Sequence, residues 1–296
     1  MKKPILLLKS DLIEPIDQAL QRIEKIRQRK ASNEDKIILE GLFVLSVSSF
    51  ETSLTDTLKI LFQQIPEKLS FKTESIPKEE IIGGNFLGAI IERKVNEISY
   101  KNIKEILKCF IEITGINEGQ ILSNVDALQE IKATRNLLIH NNLKINNIYK
   151  EVAGSQMRSG DYYGKLKIDQ DYLYNSILIM RGILEEMKVK LSEAYCKYTR
   201  IKAVEELFKF VFNSPMMVFA DEFNVDVEND RIGGYKKTGE DRENSLGSTQ
   251  TFFLELWLAH TQAQNKTLPG GIFYKLDSNS QEKLKVFMSA VNLLKN

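Results

Sequence analysis

Residues 125–140 read VDALQEIKATRNLLIH and lead into Asn141-Asn142. The stretch predicts a helix. Asn124 stands where an N-cap belongs, and Leu128, Ile131, Leu138 and Ile139 recur at helical intervals. On such a helix Asn136 and His140 lie one turn apart on one face, while Arg135 and His140 are about 140° apart around the axis at ~100° per residue. The arginine and the histidine therefore cannot simply pair. They flank a surface, and a second copy of the helix would complete the pocket.

His140 is one of two histidines in the whole chain. A guanidinium holds and neutralises a phosphate, and an imidazole moves a proton near neutral pH; the pair is what RNA cleavage without a metal requires. The alternative is a surface arginine beside a histidine that caps a helix C-terminus, where the dipole favours a cation.

Arg135-Asn136, three residues and then His140, near the end of a helix in an all-helical setting, resembles the signature of the HEPN superfamily: arginine, a polar residue, several more, then histidine. That resemblance implies a helical bundle and, in many members, a metal-independent endoribonuclease of toxin–antitoxin or phage-defence systems whose site forms across a homodimer. It implies that the substrate's own 2′-hydroxyl attacks the adjacent phosphate. His140 would be general base or acid, Arg135 would stabilise charge on the phosphoryl oxygens, and Asn136 would orient the imidazole or donate to phosphate. Phe50-Glu51 followed by Leu54 resembles an acidic position on an early helix of many such proteins. Glu51 would then orient Arg135 or keep the site polar; otherwise it is the solvent side of an amphipathic helix.

Outward from this stretch, the N-terminal half reads as more helices. Residues 11–30 carry Ile13, Ile16, Leu20, Ile23 and Ile26 on one stripe and end in Arg22, Lys25, Arg27, Arg29 and Lys30, a solvated basic face or a nucleic-acid contact. Segment 34–65 follows an Asn33 cap signal and is the most apolar long helix of this half, with Leu39, Leu42, Phe43, Val47, Phe50, Leu54, Leu58 and Leu61 for a core and Ser48, Glu51 and Thr55 as a polar stripe. Residues 66–85, with Pro66, Pro77, Gly83 and Gly84, read as an irregular connection. Two shorter helices follow at 86–98 and 101–114, the second stopped by Gly115.

After His140 the turn-formers Asn141, Asn142, Asn146, Asn147, Gly154, Ser155, Ser159, Gly160 and Gly164 predict a mobile loop. Across 141–168 five cations (Lys144, Lys150, Arg158, Lys165, Lys167) face two carboxylates (Glu151, Asp161), with Tyr149, Tyr162 and Tyr163 among them. Basic groups for the backbone and aromatics for the bases are how single-stranded RNA is held, so Lys144, Lys150, Arg158 and Tyr149 are candidate RNA contacts; the alternative is that the tyrosines pack on the nearest helix.

From Asp169 or Asp171 to about Asn213 the helical pattern is almost continuous, as one long helix or as two broken near Thr199. Residues 216–227 look like strand, 228–248 like an exposed polar stretch, and 249–264 and 280–294 like helices around a turn at Pro269-Gly270-Gly271. His260, three residues after the sole tryptophan, has no second ligand at metal spacing and reads as structural.

Composition narrows the chemistry. The 296 residues are 43% hydrophobic with net charge +1, so a packed core is expected and no global basic field is; any RNA affinity must come from a local patch. Cys109 and Cys196 form no CxxC pair, which argues against a disulfide scaffold or a zinc site and fits a reducing compartment. The apolar run near the N-terminus stops at Leu8, short for a signal peptide, and no window approaches ~18 uninterrupted apolar residues. No Gly-x-Ser-x-Gly elbow, GxGxxG, Walker sequence or His-Glu-x-x-His occurs.

The expectation is a mainly α protein: an up-and-down HEPN-like bundle over 1–200, and a smaller α+β or helical accessory region over 201–296. Its function is expected to be metal- and cofactor-independent RNA cleavage by a cytoplasmic homodimer acting as a toxin or antiviral-defence effector, with an antitoxin or defence-system protein as a further partner and no membrane. The alternative is a non-catalytic RNA-binding or partner-docking module. A third option makes the C-terminal region a sensor or inhibitor of a latent nuclease.

Overall fold

The computed structural model describes residues 7–29, 35–69 and 86–199, single positions at 202, 203 and 206, and strands at 223–226 and 231–235. The chain divides into two compact units, one from Lys9 to Cys196, the other formed by residues 1–8 with 197–296.

The first unit is helical among its described residues: α1 (Lys9–Arg27), α2 (Lys36–Gln64), α3 (Phe86–Ser99), α4 (Ile103–Thr114), α5 (Val125–Asn141), α6 (Asn147–Ala153) and α7 (Gln170–Ala194). α2 is the central member, packed against α1, α3, α4, α5 and α7. Its Phe43, Phe50, Leu54, Leu58 and Leu61 are each 1% exposed or less, and each such side chain contributes about 1.5–3 kcal/mol on burial.

The polar residues buried beside them carry their own solution to desolvation. Ser46 and Ser49 hydroxyls donate to the carbonyls of Leu42 and Leu45, both at 2.7 Å, and Ser53 donates to Phe50 at 2.8 Å, so no orphan donor is left when α1 packs alongside. By length and composition α2 would also cross a membrane. In the bundle its apolar stripe is core.

Caps fix several boundaries. The Asn102 side chain accepts from the Glu105 N–H at 2.9 Å and starts α4, while Gly115 at φ 72° stops it. Asp169 accepts from the Tyr172 N–H at 2.9 Å to start α7, which ends at Ala194, ahead of the expected break near Thr199. Asp35 occupies the cap position of α2 without a side-chain capping bond, and the Asn33 signal lies outside the described residues. Asn124 likewise precedes α5 without a capping bond. In α1 the buried stripe runs through Ala19 rather than Leu20.

Two expectations for the centre of the chain are corrected. The buried face of α5 is Val125, Leu128, Ile131, Ala133 and Leu137, and Ile139, expected on it, is 47% exposed because the helix face turns outward over its last turn. Residues 141–168 are not wholly a loop: they hold α6, and the turns around it are tied down by hydrogen bonds. Asn146 accepts from the Tyr149 N–H at 2.8 Å to start α6, the Leu166 N–H donates to the Leu143 carbonyl at 2.9 Å, and Asp161 Oδ1 accepts from the Tyr163 and Lys165 N–H groups, each at 2.9 Å. The turn-forming residues cap and close short elements instead of leaving them open.

In the second unit β1 (Phe223–Asp226) pairs antiparallel with β2 (Arg231–Tyr235). β1 falls within the expected strand; β2 falls in the stretch expected to be polar and exposed. The helices expected at 249–264 and 280–294, the Pro269-Gly270-Gly271 turn, His260 and the 70–85 connection lie outside the described residues.

Candidate functional site

α5 presents Gln129, Lys132, Ala133, Asn136 and His140 at spacings of three and four, one continuous helix face. Opposite it, Glu51, Thr52 and Thr55 come from α2, and the α3–α4 turn adds Ser99, Tyr100, Lys101 and Asn102. Together with Arg135 and with Val152 of α6 these residues bound a cleft of about 650 Å³. All four residues expected at the site, Arg135, Asn136, His140 and Glu51, therefore line one cleft in a single copy of the chain. The offset around α5 is bridged because Asn136 sits between the other two in angle and the arginine side chain is long.

Within the cleft the charges are unequally matched. Lys132 Nζ donates to Glu51 Oε1 at 2.8 Å and to the Lys101 carbonyl at 3.4 Å. Glu51 is thus spent on Lys132, not on Arg135, which corrects the orienting role expected for it while leaving it in the site. Arg135 Nη1 donates to Asn136 Oδ1 at 3.0 Å. Among the described residues no carboxylate pairs with Arg135, and its Nε is buried without a hydrogen-bond partner. A buried donor left unmet costs about 1–3 kcal/mol.

Among the described lining residues, Lys101, Lys132 and Arg135 against the single carboxylate of Glu51 make the cleft locally cationic, although the chain as a whole carries net charge +1. His140 is exposed at the end of the helix. A phosphodiester in this cleft would meet the Arg135 guanidinium, the Asn136 amide and the His140 imidazole. No family model, no curated protein and no solved structure matches the chain. The HEPN resemblance therefore rests on these residues and their placement alone.

The candidate RNA contacts of 141–168 fare differently. Tyr149 is 2% exposed, and its hydroxyl donates to Glu130 Oε1 at 2.8 Å while accepting from the Arg158 N–H at 3.1 Å. Arg158 Nε donates to the same Glu130 oxygen at 3.0 Å, Nη1 donates to the Lys167 carbonyl at 2.9 Å, and the guanidinium lies 3.4 Å over the Tyr172 ring. Neither side chain is free to hold a nucleotide. Both are withdrawn as RNA contacts because a buried carboxylate claims them: Glu130 is 4% exposed and also accepts from Thr134 Oγ1 at 2.6 Å and from the Tyr172 hydroxyl at 2.8 Å. Burial beside that carboxylate pushes the Tyr172 and Tyr149 phenols above their usual range, desolvation being the larger cause in each. Lys144 and Lys150 are exposed but do not line the cleft.

Lys132, Tyr100, Lys101 and Asn102 were not anticipated. Lys132 was legible in principle, three residues before Arg135 and four before Asn136 on the helix. The 100–102 turn carries no local mark of function.

Proposed function

We propose that the protein is a metal-independent endoribonuclease of the HEPN type, acting as a cytoplasmic homodimer in a toxin or antiviral-defence role. The observation that carries this reading is the convergence of Arg135, Asn136 and His140 on one cationic cleft. In the reaction the 2′-hydroxyl oxygen bonds to the adjacent phosphorus, the bond to the 5′-oxygen breaks, and the products are a 2′,3′-cyclic phosphate and a 5′-hydroxyl. His140 removes the 2′-hydroxyl proton or supplies the proton that the departing 5′-oxygen needs. Arg135 neutralises the charge that builds on the non-bridging oxygens, and Asn136 fixes the guanidinium it bonds.

The test is incubation of purified protein with end-labelled RNA in excess chelator. Cyclic-phosphate ends from wild type, absent with His140→Ala and with Arg135→Ala, support the reading; undiminished cleavage by either variant rejects it. The cationic lining of the cleft, Lys101, Lys132 and Arg135 against Glu51, also supports a second reading, a non-catalytic RNA-binding or partner-docking module, since it holds an anion without chemistry. RNA binding with no cyclic-phosphate ends, with or without divalent metal, would select that one.

A further inference from the structure

The cleft holds one aromatic side chain among its described lining residues, and it is neither of the loop tyrosines nor the buried Tyr149. Tyr100 sits on the turn between α3 and α4 with 90% of its surface exposed, at the rim of the cleft that contains Arg135 and His140. Its backbone N–H is tied to the Asn96 carbonyl at 3.2 Å, and Asn102, two residues on, caps α4, so the turn is anchored at both sides while the ring is left in solvent. Lys101, beside it, gives its carbonyl to Lys132. An exposed tyrosine costs the protein solubility and gains it no packing; a fixed turn holds it next to the cations.

We infer that Tyr100 is the platform on which a base next to the scissile phosphate stacks, and that the substrate class is therefore single-stranded RNA with an unpaired base at that position. This deepens the nuclease reading and rests on it. The chemistry points the same way. In an A-form helix the 2′-oxygen, the phosphorus and the 5′-oxygen are not in line, so attack requires the backbone to swing and the flanking bases to unstack. A protein ring that replaces the lost stacking partner lowers the cost of that geometry, and unpaired, splayed bases stacked on aromatic side chains are the common mode of RNA recognition outside duplexes. At about 650 Å³ the cleft has room for the nucleotides on either side of one phosphate.

The test uses binding, so that it does not depend on turnover. Fluorescein-labelled, 2′-O-methylated single strands, which cannot be cleaved, are titrated with wild type, Tyr100→Phe and Tyr100→Ala, alongside a hairpin of the same sequence and single strands carrying one abasic position at successive sites. Loss of one stacked base weakens binding about 5- to 150-fold. Tyr100→Ala should show that loss and Tyr100→Phe should stay within about twofold of wild type. One abasic position should cost wild type the same factor and cost Tyr100→Ala nothing further, a coupling that a merely structural tyrosine would not produce. Equal binding by wild type and Tyr100→Ala, equal binding of strand and hairpin, or no coupling at any abasic position overturns the assignment. If the coupling is found but unmodified RNA gives no cyclic-phosphate ends, the platform stands and the nuclease reading falls.

Discussion

Lys132 Nζ lies 2.8 Å from Glu51 Oε1, so the one carboxylate among the described residues lining the cleft is committed to the lysine three residues before Arg135 rather than to the arginine itself. The pair joins α2 to α5 with side chains only 17% and 23% exposed for Lys132 and Glu51. Removing the carboxylate leaves a half-buried ammonium without its counter-charge. Glu51→Gln should lower unfolding stability by ~1–2 kcal/mol, read from denaturant midpoints. It should also tighten single-stranded RNA binding and steepen the dependence of log Kd on log salt by about 0.7, as one more cation reaches phosphate. An unchanged salt slope would mean that Lys132 does not face the nucleic acid.

Arg135 is expected to act through the shape of its fork as well as its charge. Nη1 is held by Asn136 and Nε is unmet, an arrangement a lysine cannot reproduce. Arg135→Lys should keep RNA affinity within severalfold but reduce the cleavage rate nearly as far as Arg135→Ala. His140→Ala should cost roughly 10²–10⁴-fold in rate with little change in affinity. Single-turnover rates and equilibrium binding on the same RNA separate the two; a fully active Arg135→Lys would show that charge alone suffices.

The Glu130 cluster belongs to stability. Arg158→Ala strips a 4%-exposed carboxylate of its cation and should destabilise the bundle by about 3–5 kcal/mol. Tyr149→Phe removes one hydrogen bond and should cost roughly 1–2 kcal/mol. RNA affinity of whatever remains folded should be unchanged in both. A specific loss of affinity with unaltered stability would restore these residues to the binding surface.

The same cluster sets an alkaline limit. Burial raises the Tyr172 and Tyr149 phenols in the folded protein, so above pH ~10 the unfolded chain releases protons that the folded chain keeps. Their stabilisation is complete below the unfolded value and is lost as pH rises through the folded one. Unfolding free energy should therefore fall above pH ~10 by up to ~1.4 kcal/mol per pH unit for each group. Tyr172→Phe should be less stable at pH 8 and shallower on that limb; a slope equal to wild type would place the alkaline sensitivity elsewhere.

How much of this was legible follows from which interactions are local. Helix α5 and the polar stripe Glu51–Thr55 could be read from periodicity, and residues one turn apart on α5 share a face in the structure as they do on paper. Glu130 could not be read. A charged residue in the middle of a helix looks solvated until Tyr149, Arg158 and Tyr172 are brought to it from 19, 28 and 42 residues away. That same long-range closure commits Tyr149 and Arg158 of the basic, aromatic 141–168 segment to bracing α5. Tyr100 escaped for the opposite reason: it touches little, and its position is set by two helices meeting.

The proposed homodimer can be tested on the exposed apolar residues near the cleft. Ile148 is 71% exposed and Val152 40% exposed, one turn apart on α6, and Val152 lines the cleft with His140. Ile139, beside that histidine, is 47% exposed. Exposed apolar side chains beside residues that line a polar site are what a twin subunit would cover. Wild type should sediment as a dimer at micromolar concentration, and its specific activity should fall on dilution as the dimer dissociates. Ile148→Glu should shift the species to monomer and lower specific activity at least tenfold, with an unfolding midpoint close to that of wild-type monomer because Ile148 adds nothing to the core. A variant that stays dimeric would put the subunit contact on another face. A wild type that is monomeric and equally active at every concentration would mean that one copy of the cleft does the whole chemistry.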